Sequence, residues 1–197
     1  MTPDRPALAR TPAETRLRLE LTECPACSDR ETRWRLVSTA TVAGVALERY
    51  AGRCGRCGTV READFRSPEQ APPAEPDDIE PATLFGAGRP SELLDAAEWL
   101  EVATLTEAAA DDTAGADGSP VAEPAQQRRA RLEYARDAVV EAMRFLPADG
   151  DRVPADRLFS PLGRQVLAAD PRRLTRDWMR AVRDGYEVLL AEIDDRR

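Results

Sequence analysis

Two short stretches, Cys24-Pro25-Ala26-Cys27 and Cys54-Gly55-Arg56-Cys57-Gly58, decide how this chain is read, because they hold all four cysteines of its 197 residues. A Cys-x-x-Cys turn aims two thiolates at one point. Two such turns supply the four soft ligands that Zn²⁺ accepts in a closed tetrahedral site. Cys24, Cys27, Cys54 and Cys57 are therefore the expected metal ligands, with one structural Zn²⁺ as the expected cofactor. Four thiolates also suit iron, so spacing alone leaves that metal open. A thiol redox pair is the third reading, but such a pair precedes a helix and needs no second pair, whereas β-type sequence follows Cys27.

The 26 residues between Cys27 and Cys54 are enough for a hairpin that returns the second turn to the first. Arg33 to Val42 is rich in Val and Thr, and Val45 to Tyr50 continues in the same vein, with Gly44 as the expected turn. Thr59 to Phe65 offers a further strand. Upstream, Leu17, Leu19 and Leu21 alternate with Arg16, Arg18 and Glu20, a period of two that predicts a half-buried strand.

These residues resemble the zinc ribbons over roughly 17–65, about a quarter of the chain. The resemblance implies cysteine turns whose backbone N–H groups bond the sulfurs, eased by glycine after the second cysteine. Gly58 fits that pattern, and Ser28 departs from it in the first turn. Many zinc ribbons belong to transcription and translation proteins, so the resemblance also raises nucleic-acid binding.

Outside the cysteines the chain changes character twice. Residues 1–14 are rich in Pro, Arg and Ala and read as a flexible tail. Residues 67–82 carry five prolines and a run of acids, the composition of an extended linker that cannot bury enough apolar surface to order itself. A helical period then takes over for 83–197, broken by a small, acidic segment near 111–124 that reads as a disordered loop. Ser91 is the expected cap of the first helix, with Leu93, Leu94, Ala97 and Leu100 on its apolar face. A second helix spans about 126–146 and loosely resembles the second helix of a tetratricopeptide repeat, though no repeat of that period is visible. Ser160-Pro161 and Asp170-Pro171 each place a capping residue before proline, predicting a short helix and then a long one. The expected fold class is thus α+β, a zinc-ribbon domain at 15–66 followed by a separate all-α hairpin or bundle.

Composition narrows the chemistry. The sequence has no His, Lys or Asn and only two Ile, the residue usage of a GC-rich bacterial genome. Without His, Ser-His-Asp and Cys-His catalysis are excluded, along with His-ligated metals. Gly86-Ala87-Gly88 lacks the third glycine of a phosphate cradle, and the acidic pairs Asp77-Asp78 and Asp111-Asp112 lie in expected loops. No enzyme is expected. A net charge of −8 argues against wrapping nucleic acid or adhering to anionic lipid. No apolar run is long enough for a membrane span, and paired cysteines outside a secreted context point to a reducing cytoplasm.

The expected role is binding, as an adaptor or accessory protein for another protein. The alternative is nucleic-acid recognition by the ribbon's arginines, Arg30, Arg33, Arg35, Arg49, Arg53, Arg56, Arg61 and Arg66, with Trp34 and Tyr50 as stacking partners. Against five acids and a doubly negative metal site those eight arginines leave a net of about +1, little for strong phosphate affinity. A second arginine group, Arg128, Arg129, Arg131, Arg172, Arg173 and Arg176, opposes the helix dipoles where it sits, and solvation of the surface accounts for it.

Overall fold

A computed structural model describes residues 5–42, 45–67, 84–86, 88–108 and 124–195. The chain divides into two compact units, Met1–Leu93 and Leu94–Arg197. The expected linker 67–82 falls almost wholly outside the described residues, as do most of the expected loop 111–124 and the expected turn at Gly44.

The first unit is a helix followed by a three-stranded antiparallel sheet in the order β1-β2-β3, with α1 at Pro12–Leu21, β1 at Arg35–Val42, β2 at Val45–Arg53 and β3 at Val60–Ser67. The strands run in register from Arg35↔Ala51 to Val42↔Val45 on one side of β2, and from Ala46↔Ser67 to Arg53↔Val60 on the other. One irregularity between Leu36 and Ser38 leaves Val37 unpaired, as a bulge does.

The strand expected over Thr15 to Leu21 instead lies within α1. The Thr11 side chain accepts the Glu14 N–H at 3.2 Å, Pro12 opens the helix, and the Glu14 carboxylate reaches back to the Arg10 N–H at 2.6 Å. This cap-and-proline start outweighs the period-two pattern, which recurs by chance when a short helix is covered on more than one side. Leu17 and Leu19 are both buried although they do not share a helix face, as are Glu14 and Thr15. Nor are residues 5–14 a loose end: Ala7 to Ala9 line up parallel to β3 through N–H to carbonyl bonds between Ala9 and Arg66 and between Arg66 and Ala7, each 2.9 Å. The Arg66 guanidinium fixes this strap further by donating to the Pro6 carbonyl and to Glu92.

The second unit is helical, with α2 at Ala96–Ala108, α3 at Ala125–Met143, α4 at Pro161–Ala169 and α5 at Arg176–Asp194. Helix α3 packs between α2 and α5, and α4 lies against α2. Trp99, Ala138, Val139, Leu174 and Met179 have no exposed surface, and with Leu132, Tyr186 and Leu190 they supply much of its core.

Two expected caps are corrected here. Ser91 accepts the Leu93 N–H, ahead of the helix, while Asp95 takes the N–H groups of Ala97 and Glu98 and receives the Glu98 carboxylate on its own N–H, a reciprocal capping box. Asp95 also accepts the Ser160 N–H at 2.8 Å, so one buried carboxylate ties the start of α2 to the start of α4. Gly163 is what admits it, because a Cβ there would sit 2.4 Å from Asp95 Oδ2. Likewise Asp170-Pro171 opens only a single tight turn, and Thr175 caps α5. Ser160 caps α4 as expected, accepting the Gly163 N–H.

Candidate metal centre

The two cysteine turns are local copies of each other. In the first, the Ser28 N–H bonds the Cys24 carbonyl at 2.8 Å and the Cys24 N–H bonds the Asp29 carbonyl at 2.8 Å. In the second, the Gly58 N–H bonds the Cys54 carbonyl at 2.9 Å and the Cys54 N–H bonds the Thr59 carbonyl at 3.0 Å. Both turns close with a left-handed residue, Ser28 at φ 57° and Gly58 at φ 73°. The serine that departs from the zinc-ribbon pattern therefore adopts the glycine's conformation and carries its strain.

Two contacts set the turns against one another. Thr32 bridges Cys54, and the Gly55 N–H donates to the Glu31 carbonyl at 2.7 Å, so the chain leaving the first turn is stitched to the second. Gly52 permits this approach, because a Cβ on it would meet the Arg33 carbonyl oxygen at 2.7 Å. Beneath the first turn, Arg61 of β3 is buried: its guanidinium donates to the carbonyls of Thr22 and Glu23 at 2.7 and 3.1 Å and to the Thr32 hydroxyl at 2.6 Å. It also lies 4.8 Å from the centre of the Trp34 ring, whose indole N–H bonds the Leu19 carbonyl at the end of α1. Helix, first cysteine turn and sheet are thus joined through one cation.

The outcome is a cluster of four free cysteines whose Sγ atoms all lie within 4.8 Å of one another. Cys24–Cys57 and Cys27–Cys54 are separated by 3.6 Å and Cys27–Cys57 by 3.5 Å. A metal with four sulfurs at ~2.3 Å in a tetrahedron sets its sulfurs ~3.8 Å apart, close to these separations. The donor set and its spacing therefore fit one metal ion, and Cys24, Cys27, Cys54 and Cys57 are the residues that could hold it. Cys24 and Cys54 are buried, Cys27 is half-buried and Cys57 exposed, so any ion would sit at the surface end of the sheet.

The protons of the thiols are unevenly held. The hydroxyl and N–H of Thr59, followed by Cys27, pull Cys57 down to about 6. Cys27 is drawn down by the Asp29 N–H, yet burial and its three thiol neighbours push it up to about 12. Cys57 therefore gives up its proton more readily than Cys27.

Of the eight arginines expected to face nucleic acid, several are already committed. Arg61 is internal, Arg66 pairs with Glu92 at 2.6 Å, Arg49 with Asp64 at 2.7 Å, and Arg30 with Glu23 at 3.0 Å. Trp34 is turned to Arg61, and Tyr50 meets Phe65 edge-on at 5.9 Å while donating to Glu48. Neither aromatic is therefore an open stacking platform. Arg61 was not legible as structural from composition, although its position opposite Gly52 on the buried side of β3 is the signal. Among the described residues, no helix is long and apolar enough to cross a membrane. No family model, no curated protein and no solved structure matches the chain.

Proposed function

We propose that Cys24, Cys27, Cys54 and Cys57 hold one Zn²⁺ whose work is structural, and that the chain acts in a reducing compartment as a binding protein, an adaptor or accessory to another protein. The supporting observation is the convergence of all four cysteines of the sequence on one point. Four thiolates fill a tetrahedral shell, which leaves no position for water or substrate and so no route to metal-assisted catalysis. A sheet this small also needs a staple, because a unit of fewer than a hundred residues buries little core. Catalysis by other residues finds no support in the chain's motifs, since without His no nucleophile-and-base arrangement stands out.

Elemental analysis of protein purified under reducing conditions should return about one zinc per chain. Affinity purification from the native host should recover a defined protein in constant ratio. A chain that carries zinc but stays solitary at every concentration would retire the adaptor role while leaving the metal assignment intact.

A further inference from the structure

We propose that a hollow on the open face of the sheet, beside the second cysteine turn, is an anion site that takes a phosphate group. Its volume is about 450 Å³ and its lining is Arg33, Arg35, Ala51, Gly52, Arg53 and Val60. Strand alternation explains the grouping. Arg33 and Arg35 are two apart, Arg35 stands opposite Ala51, and Arg53, two beyond Ala51, stands opposite Val60, so all five share one face. Gly52 contributes backbone, and by letting the chain at Thr32–Arg33 lie close to β2 it sets Arg33 at the rim.

What marks the hollow is charge without compensation. Among the described residues no carboxylate lines it. Among the described residues Arg33 and Arg35 have no acidic partner, and Arg53 donates only to the Gly58 carbonyl at 3.3 Å, whereas Arg10, Arg30, Arg49 and Arg66 of the same unit are each paired to an acid. Three guanidinium groups around a small apolar floor repel one another until an anion enters. A carboxylate offers one fork and satisfies one guanidinium, while a phosphate presents oxygens in three directions and can satisfy all three. The volume admits a nucleotide-sized group. Among the described residues no aromatic side chain lines the hollow, so recognition would rest on the phosphate and not on stacking of a base, indifferent to sequence.

The inference stands apart from the adaptor reading, since the hollow is present whatever protein the chain meets. Zinc-loaded full-length protein should be titrated at low salt with inorganic phosphate, with a short labelled single-stranded oligonucleotide, and with a polyglutamate peptide of equal charge. The R33Q/R35Q double variant should weaken phosphate-bearing probes about tenfold and, for the oligonucleotide, reduce the slope of log K against log salt by about 1.4, two phosphate contacts' worth. R49Q, outside the hollow, should leave both unchanged. Both R33Q/R35Q and the milder R35Q are read only with zinc content and melting temperature equal to the parent. Binding of phosphate without the oligonucleotide assigns a small phosphate ligand, and binding of both assigns a strand backbone. Absence of both, binding unchanged in R33Q/R35Q and R35Q alike, or equal affinity for polyglutamate would overturn the proposal.

Discussion

Ser28 and Gly58 occupy the same place in two copied turns, and their exchange tests whether backbone strain tunes the metal centre. Gly58 lies at φ 73° with nothing within 4 Å of where a Cβ would stand, so Gly58→Ala introduces no clash, only the left-handed penalty. That penalty is about 1–2 kcal/mol, offset by the roughly 0.4–1 kcal/mol that alanine removes from the freedom of the unfolded chain. The net is a destabilisation of about 0.5–1 kcal/mol. Ser28 already carries the penalty at φ 57°, so Ser28→Gly should change stability by a similar amount with the opposite sign. For a unit of this size each kcal/mol moves the melting temperature by about 4–8 °C. On the proposal that one zinc completes the two turns, the same energies should appear in zinc affinity, about twofold to fivefold weaker for Gly58→Ala and tighter for Ser28→Gly. Melting of the zinc-loaded protein and competition with a calibrated chelator measure the two effects independently. If Ser28→Gly lowered the melting temperature, or if neither variant moved it, strain at the turn ends would not be part of how this centre is built.

Other outcomes follow from the same geometry. Arg61→Met, which keeps the length but removes every donor, should cost the first unit about 2–3 kcal/mol by taking the charged donor away from the Thr22 and Glu23 carbonyls and the Thr32 hydroxyl; a denaturant midpoint unchanged from the parent would contradict this. Asp95→Ala should lower the stability of the helical unit by about 2 kcal/mol, the loss of a cap plus an orphaned Ser160 N–H, with little change in zinc content. Cys27→Ser or chelation should abolish the sheet and the ten-residue α1 while most helical circular dichroism survives, and a single cooperative loss of all signal would show the two units to be energetically one. In alkali, Tyr186, which burial and Glu107 push up to about 12, keeps its proton in the folded protein above the pH at which the unfolded chain releases it. Its contribution is therefore full below about 10 and fades as pH rises through 12, so a Tyr186→Phe variant should lose less stability than the parent between those values.

The convergence of the four cysteines was readable in the chain because Cys-x-x-Cys is a local signal whose chemistry depends on residue type and spacing alone. β1 was readable for a similar reason, since a run rich in Val and Thr favours extended backbone, while β2 and β3 showed through fewer residues, Val45, Leu47 and Tyr50 in one and Val60 and Phe65 in the other. The start of the chain was misread. At Leu17, Leu19 and Leu21 a short alternation stood against a cap-and-proline start at Thr11-Pro12 with Glu14, and the second is the more specific signal because it names particular hydrogen bonds. The same lesson holds at Asp95, where an Asp-x-x-Glu box lay four residues past the serine that composition favoured. Along α5, expected as a long helix after Asp170-Pro171, the buried line runs through Met179, Tyr186, Leu190 and Ile193, because the residues that meet α3 are set by packing and not by hydropathy alone. Nothing local could have told Arg61 from Arg33: one lies under the Trp34 ring and the other at the rim of an open hollow, a difference made by which face of the sheet each strand position takes.

X-ray absorption at the metal edge, taken on protein with its metal content measured on the same sample, bears most directly on the claim that these four thiols close around a single ion. One zinc per chain with four sulfur neighbours at ~2.3 Å and no light scatterer in the shell is the predicted result. A nitrogen or oxygen ligand, fewer than four sulfurs, or a protein that folds fully without any metal would contradict it.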